Sequence, residues 1–257
     1  MNRKKIDLLI TILLLAGGAV ISFYLKPANP VLSILYLGIP SFFLMLREKK
    51  NYKKIGWGVL VFGILMSTTF DFVATINGAW AVDRIIFPKA VISTWPIESI
   101  IGYIFMTLFV IVFYEHFLDD ERHPRLPKSH SKVFLLLLII LFTTFAIHFI
   151  SPDSLKFSYF YLKAGFVAIL FPIIFSFYNP HIIRKFAPLA FFFFFVWLVI
   201  EFVGVHNGNW LFPSQGQFVG YASLFGITFP FEEVFFWFMW YSAVIVAFYE
   251  NFIDDRS

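Results

Sequence analysis

Asp71-Phe72-Val73-Ala74-Thr75-Ile76-Asn77-Gly78-Ala79-Trp80 is answered 130 residues later by Glu201-Phe202-Val203-Gly204-Val205-His206-Asn207-Gly208-Asn209-Trp210. Each stretch closes a long apolar run, carries one acid six residues before Asn-Gly, and sets a tryptophan two residues after the glycine. Further out, Pro96-Ile97-Glu98 matches Pro230-Phe231-Glu232. Phe113-Tyr114-Glu115-His116-Phe117-Leu118-Asp119-Asp120 returns as Phe248-Tyr249-Glu250-Asn251-Phe252-Ile253-Asp254-Asp255. The offset grows from 130 to 135, so the insertions are small and fall chiefly between Trp210 and Pro230. Three motifs in one order at a nearly constant offset are the mark of a duplication. The reading is two repeats, residues 1–127 and 128–257, of four helices each.

Apolar runs long enough to cross a ~30 Å hydrocarbon core lie near 7–25, 30–46, 55–77, 97–118, 133–150, 157–178, 186–205 and 232–252. The composition agrees: 14% of residues are charged, where a soluble domain carries about a quarter. Helices facing lipid are apolar all round. The predicted fold is all-α and polytopic, with about eight transmembrane helices. The first run follows Asn2-Arg3-Lys4-Lys5 and has the build of a signal peptide, but the duplication needs it as the counterpart of the fifth run. Fifteen Lys and Arg fall in segments on the side of the N-terminus, and four (Lys26, Arg84, Lys89, Lys156) on the other. The positive-inside rule then puts both termini in the cytoplasm, in a multi-pass protein of the cell membrane. The net charge of +4 sits in short loops and gives no basic face for nucleic acid. The absence of cysteine excludes disulfides, thiol nucleophiles and thiolate metal sites.

Asp71 and Glu201 fall one to two turns inside the ends of the third and seventh runs. A carboxylate there costs a few kcal/mol and turns to the protein interior or a wet cavity. Gly78 and Gly208 end the helices in the left-handed conformation, and Trp80 and Trp210 read as interface residues. Pro96 and Pro230 suit a first helical turn, and an acid beside them is favoured by the helix dipole. Capping alone would explain one copy, yet the second reads Glu232-Glu233 followed by Phe235, Phe236 and Trp237. Asp71, Glu98, Glu201, Glu232 and Glu233 are therefore expected together, on adjoining ends of helices three, four, seven and eight. Acids so placed titrate as a set and suit giving a proton to an apolar substrate and taking one back. Trp80, Trp210, Asn77, Asn207, Phe235 and Trp237 are the expected substrate contacts, aromatic faces stabilising a cation between the two steps. Lys163 reads as a counter-ion for the acids or a snorkelling residue. The stretches after Glu115 and Glu250 read as solvated helix ends, and Phe191–Phe195 as lipid-facing. The histidines, His206 among them, lack metal-site spacing, so no metal is expected. No Gly-x-Gly-x-x-Gly or P-loop pattern is present, so no flavin, nicotinamide or other cofactor is expected.

A duplicated polytopic chain with Pro-x-Glu-(Glu/Asp) opening helices, preceded by an acid and Asn-Gly-x-Trp, resembles the lycopene cyclase domain family. These are the membrane-integral carotenoid cyclases found as heterodimers, as fused chains and in fungal bifunctional enzymes. The resemblance covers nearly the whole chain and is most specific from Phe229 to Trp237. It implies that Glu98, Glu232 and Glu233 are the essential carboxylates, with Asp71 and Glu201 the repeated acid of the preceding span. It also implies that lycopene is drawn from the bilayer and its linear ψ-ends closed to β-rings without redox change, with other carotenoid enzymes as possible neighbours. Ser99 departs from the family pattern, which commonly has a second acid there, so the repeats are chemically unequal. A related membrane terpene cyclase or carotenoid hydratase would use the same first proton. A proton-coupled small-molecule transporter would also need embedded acids, but the even span count and unbroken helices argue for the enzyme.

Overall fold

The computed structural model describes residues 3–47, 51–87, 95–119, 129–178 and 180–253. Eight helices among them are long and apolar enough to cross a membrane: α1 (Arg3–Leu25), α2 (Asn29–Arg47), α3 (Tyr52–Ile76), α4 (Ile97–Phe117), α5 (His130–Ile150), α6 (Phe160–Tyr178), α7 (Ile183–Asn207) and α8 (Glu233–Phe252). Each overlays one apolar run of the sequence. Several begin earlier than hydropathy alone dictates, because a helix continues into polar residues as long as its backbone bonds can close. The boundary between residues 127 and 128 lies outside the described residues.

α4 and α8 pack on one another at the centre, α4 flanked by α2 and α3 and α8 by α6 and α7. α1 lies along α2 and also on α7, while α5 lies on α3. The α1–α2 contact is backbone to backbone. A Cβ on Gly18 would stand 2.6 Å from the Leu35 carbonyl oxygen, so only a residue without a side chain permits that approach. No such closeness joins α5 to α6, and 6% of the α5 span is buried against 28% of α1.

The helices are not uniform, although unbroken ones were expected. α2, α3 and α8 carry π-helical stretches at Ile34–Gly38, Val59–Met66 and Glu233–Trp240. A π turn absorbs one extra residue in a helix, and the sequence shows where the α8 residue comes from. Phe113 follows Pro96 by 17 positions, but Phe248 follows Pro230 by 18. α4 is regular over that interval and α8 is not.

Two small antiparallel ladders qualify the all-α expectation. β1 (Ala81–Val82) pairs with β2 (Trp210–Leu211), Ala81 facing Leu211. β3 (Tyr221–Leu224) and β4 (Ile227–Pro230) form a hairpin that turns at Phe225 and Gly226, both with positive φ, as tight hairpins require. The hairpin lies in the longer of the two Trp-to-Pro segments, between Trp210 and Pro230.

At one end of the bundle lies a buried charge cluster. Asp7 is fully buried and meets Arg47 Nε at 2.9 Å and His116 Nε2 at 3.1 Å. Glu115 accepts from Asn51 Nδ2 at 2.8 Å and from the Tyr249 hydroxyl. Lys185 Nζ donates to the Tyr114 hydroxyl at 2.9 Å and stands 3.6 Å from Glu250. Glu115 and Glu250 are therefore not solvated helix ends; they are 3% and 1% exposed. α4 and α8 are the central helices, and the first turns of α3 and α7 enclose their final turns. Asp120, Asp254 and Asp255 lie outside the described residues. The phenylalanine run also divides by helical phase, Phe191 and Phe195 exposed but Phe193 fully buried.

Candidate active site

α3 and α7 both stop on a left-handed glycine, Gly78 at φ +69° and Gly208 at φ +70°. The chain reverses there, and the tryptophans expected at an interface are instead turned inward onto the acids. Trp80 Nε1 donates to Asp71 Oδ1 at 2.6 Å, and Trp210 Nε1 to Glu201 Oε1 at 2.9 Å. Gly204 makes room for the second ring, since a Cβ there would stand 2.1 Å from it. The β1–β2 ladder continues from the two tryptophans and joins their loops.

Between these elements lies a cavity of about 90 Å³ lined by Asp71, Glu98, Glu201 and Glu233, with walls from Trp80, Trp210, Tyr103, Tyr161 and Trp237. Their hydrogen bonding is unequal. Asp71 accepts three donors: Trp80, Trp95 Nε1 on the other oxygen, and the Tyr103 hydroxyl at 3.3 Å. Glu201 accepts from Trp210, and Glu233 lines the cavity beside Tyr161. Glu201 and Glu233 both line this one cavity. Glu98 Oε1 accepts the backbone N–H groups of Ile86 and Phe87, both at 2.7 Å, and its Oε2 is buried without a partner among the described residues.

Glu232 does not line the cavity. Successive helical residues project about 100° apart, and here that turns Glu232 away from the cavity that Glu233 lines. Its Oε1 instead accepts the Val219 N–H at 2.8 Å and anchors the loop that enters β3.

The remaining sequence candidates divide in the same way. Trp237 lines the cavity and meets Tyr103 edge-on at 6.0 Å. Asn77 donates to the Val73 and Leu155 carbonyls and accepts from Phe157 N–H, tying the α5–α6 loop to the end of α3. Asn207 donates to the Ser22 carbonyl, tying α7 to α1. Phe235 is 42% exposed and packs beside Phe166. Asn77, Asn207 and Phe235 are thus outside the cavity, as is Lys163, which is exposed on α6. Among the described residues, no group of three His, Asp or Glu could hold a metal ion.

Trp95, Tyr103 and Tyr161 were not anticipated. For the first two a signal existed: Trp95 and Phe229 each precede the motif proline, and Tyr103 and Trp237 each follow the motif glutamate by five. Tyr161 has no such mark; α6 brings it in from a stretch without a motif. No protein-family model matches the chain, and no curated protein or solved structure is found similar to it.

Proposed function

We propose that the chain is a duplicated, membrane-integral carotenoid cyclase of the lycopene cyclase domain type. The observation that carries this reading is the set of four carboxylates, unequal in their donors, around one aromatic-walled cavity. In this reading Glu233 or its neighbour Glu201 delivers a proton to the terminal C=C of a ψ-end. A new C–C bond closes the ring and leaves a tertiary cation among the faces of Trp237, Trp210 and Tyr103. Asp71, held by three donors, faces that cation. The donor's conjugate carboxylate then takes a proton from the carbon next to the cation, and the ring C=C forms. One proton enters and one leaves, no electrons are transferred, and lycopene becomes its cyclic isomer.

Glu98 and Glu232 hold the loops that roof the cavity, and Glu98 alone of the two also faces into it. The Lys and Arg distribution supports placing both termini in the cytoplasm and the carboxylates toward the outer face of the cell membrane. Lycopene would arrive from the bilayer, with other carotenoid enzymes as its suppliers. The test is expression in a lycopene-accumulating bacterium with chromatography of the pigments. γ-Carotene and β-carotene are expected. Unchanged lycopene would sink the proposal, and hydroxylated acyclic products would turn it into a hydratase.

A further inference from the structure

A larger apolar cleft lies on the other side of one wall of the carboxylate cavity. It has a volume of about 660 Å³ and shares Tyr103, Tyr161 and Trp237 with the smaller space. Its sides are α5 and α6, and its floor is α3 and α8. Along α8 it runs from Phe236 to Phe248, roughly 18 Å at about 1.5 Å per residue.

The lining offers little to water. Ser67 Oγ donates to its own helix at the Phe62 carbonyl (2.7 Å), and Thr69 Oγ1 to the Leu65 carbonyl (2.8 Å). The Tyr241 hydroxyl is paired with Thr107 Oγ1 at 3.1 Å. Apart from Lys163, the one charged side chain in its lining and exposed on α6, the cleft presents internally bonded hydroxyls, hydrocarbon and ring faces. It is open at the side, because α5 packs on α3 and α8 rather than along α6. Ile140 on one rim and Val167 on the other are exposed at 41% and 70%.

We infer that this cleft binds one half of a long linear isoprenoid hydrocarbon, admitted sideways between α5 and α6 with its end delivered past Tyr103 and Tyr161 to the carboxylates. The inference rests on the proposed function for the membrane setting and for the chemistry at the tip. The wall that the cleft shares with the carboxylate cavity, Tyr103, Tyr161 and Trp237, selects the occupant. A second apolar groove of about 630 Å³, between α6, α7 and α8, has comparable size but shares no residue with the acids. The cleft volume also falls within the ~300–1,000 Å³ range of ligand sites. Half of the chain lies within and half remains in lipid, so the two ends are handled in separate visits.

The chain has no cysteine, so single thiols can be placed without background. Ala168→Cys puts one in the cleft and Ala190→Cys one in the other groove. The folded, purified proteins are treated with a bulky N-alkylmaleimide, with and without lycopene loaded in the detergent micelle. Lycopene should slow labelling of the Ala168→Cys thiol at least tenfold and leave the Ala190→Cys thiol unchanged. Labelling should cut ring formation by the first variant tenfold or more and spare the second. Because modification follows folding, misfolding cannot imitate either result. Labelling at 168 that ignores lycopene, in a chain that forms rings, would overturn the cleft and leave the cyclase. Protection at 168 in a chain that forms no ring would keep the cleft and discard the cyclase.

Discussion

The α1–α2 seam and the α5–α6 seam begin the two halves of the chain, and the first is closed where the second gapes. In each half the opening helix also packs on the third helix of the other half, α1 on α7 and α5 on α3. What differs is the small-residue stretch Ala16-Gly17-Gly18-Ala19 of α1. Gly18 lets α1 touch the backbone of α2, whereas α5 has no glycine and is built from Leu, Ile and Phe. Without a hydrophobic drive between helices in lipid, close approach depends on such small residues. The acids show a parallel inequality. Asp71 is saturated with donors and Glu201 has one, while Ser99 follows Glu98 where Glu233 follows Glu232. One half supplies closed packing and an acid held by three donors, and the other an acid pair with few donors.

The inequality can be broken most severely at Glu233. Glu233→Gln keeps the side-chain shape and removes the exchangeable proton, so the ratio of cyclised to linear carotenoid should fall about 10²–10⁴-fold at equal membrane protein level. Ser99→Ala, at the corresponding place in the other half, should stay close to the parent. Equal and small losses at both positions would move the donor to Glu201 or Glu98. The seams are the next contrast. Gly18→Leu should destabilise the protein by about 1–3 kcal/mol through overpacking, read as a lower thermal midpoint in detergent, while Ala164→Leu projects into the open cleft and should leave it unchanged. A midpoint unaffected by Gly18→Leu would mean that the closed seam is not tight in solution.

A smaller effect is expected at Trp95. Trp95→Phe keeps an aromatic ring and removes one of three donors to Asp71; a hydrogen bond to a charged group contributes about 1.5–3 kcal/mol, and the rate of ring formation should drop about ten- to hundredfold. Rates unchanged by Trp95→Phe would show that Asp71 needs no such support. Least affected in ring formation should be Glu232→Gln, because the amide oxygen can still accept the Val219 N–H; burying the new NH2 where Glu232 Oε2 has no partner among the described residues costs about 1–3 kcal/mol of stability. Family resemblance makes Glu232 essential, whereas its geometry makes it a tether. A loss as deep as that of Glu233→Gln would return Glu232 to the reacting set.

Much of this arrangement could be read from the chain. The eight helices were legible because twenty-residue apolar runs have few other solutions. The embedded acids were legible because one spacing occurs twice around Asn-Gly. Which way Trp80 and Trp210 turn was not, since the reversal at Gly78 and Gly208 could lead either outward to an interface or back over the helix end. The burial of Glu115 and Glu250 depends on Asn51 and Lys185, brought from distant helix starts that carry no pattern. The division between Glu232 and Glu233 needed the helical phase of α8. The open cleft is invisible in hydropathy, which scores a helix lining a gap and a helix facing lipid alike.

The π-helical stretch of α8 has a further consequence. An added residue in a straight helix would rotate everything beyond it by about 100°, so that Glu233 and Glu250 could not both keep their faces. Here the surplus is taken up between Glu233 and Trp240, and the last turns still seat Tyr249 on Glu115 and Glu250 beside Lys185. The stretch works as a clutch between the two ends of one rod. Residues at the reactive end can change phase, and even gain an acid, while the anchoring end holds still. A substitution near Glu233 can therefore change the reactive end without disturbing the seat of Tyr249 on Glu115.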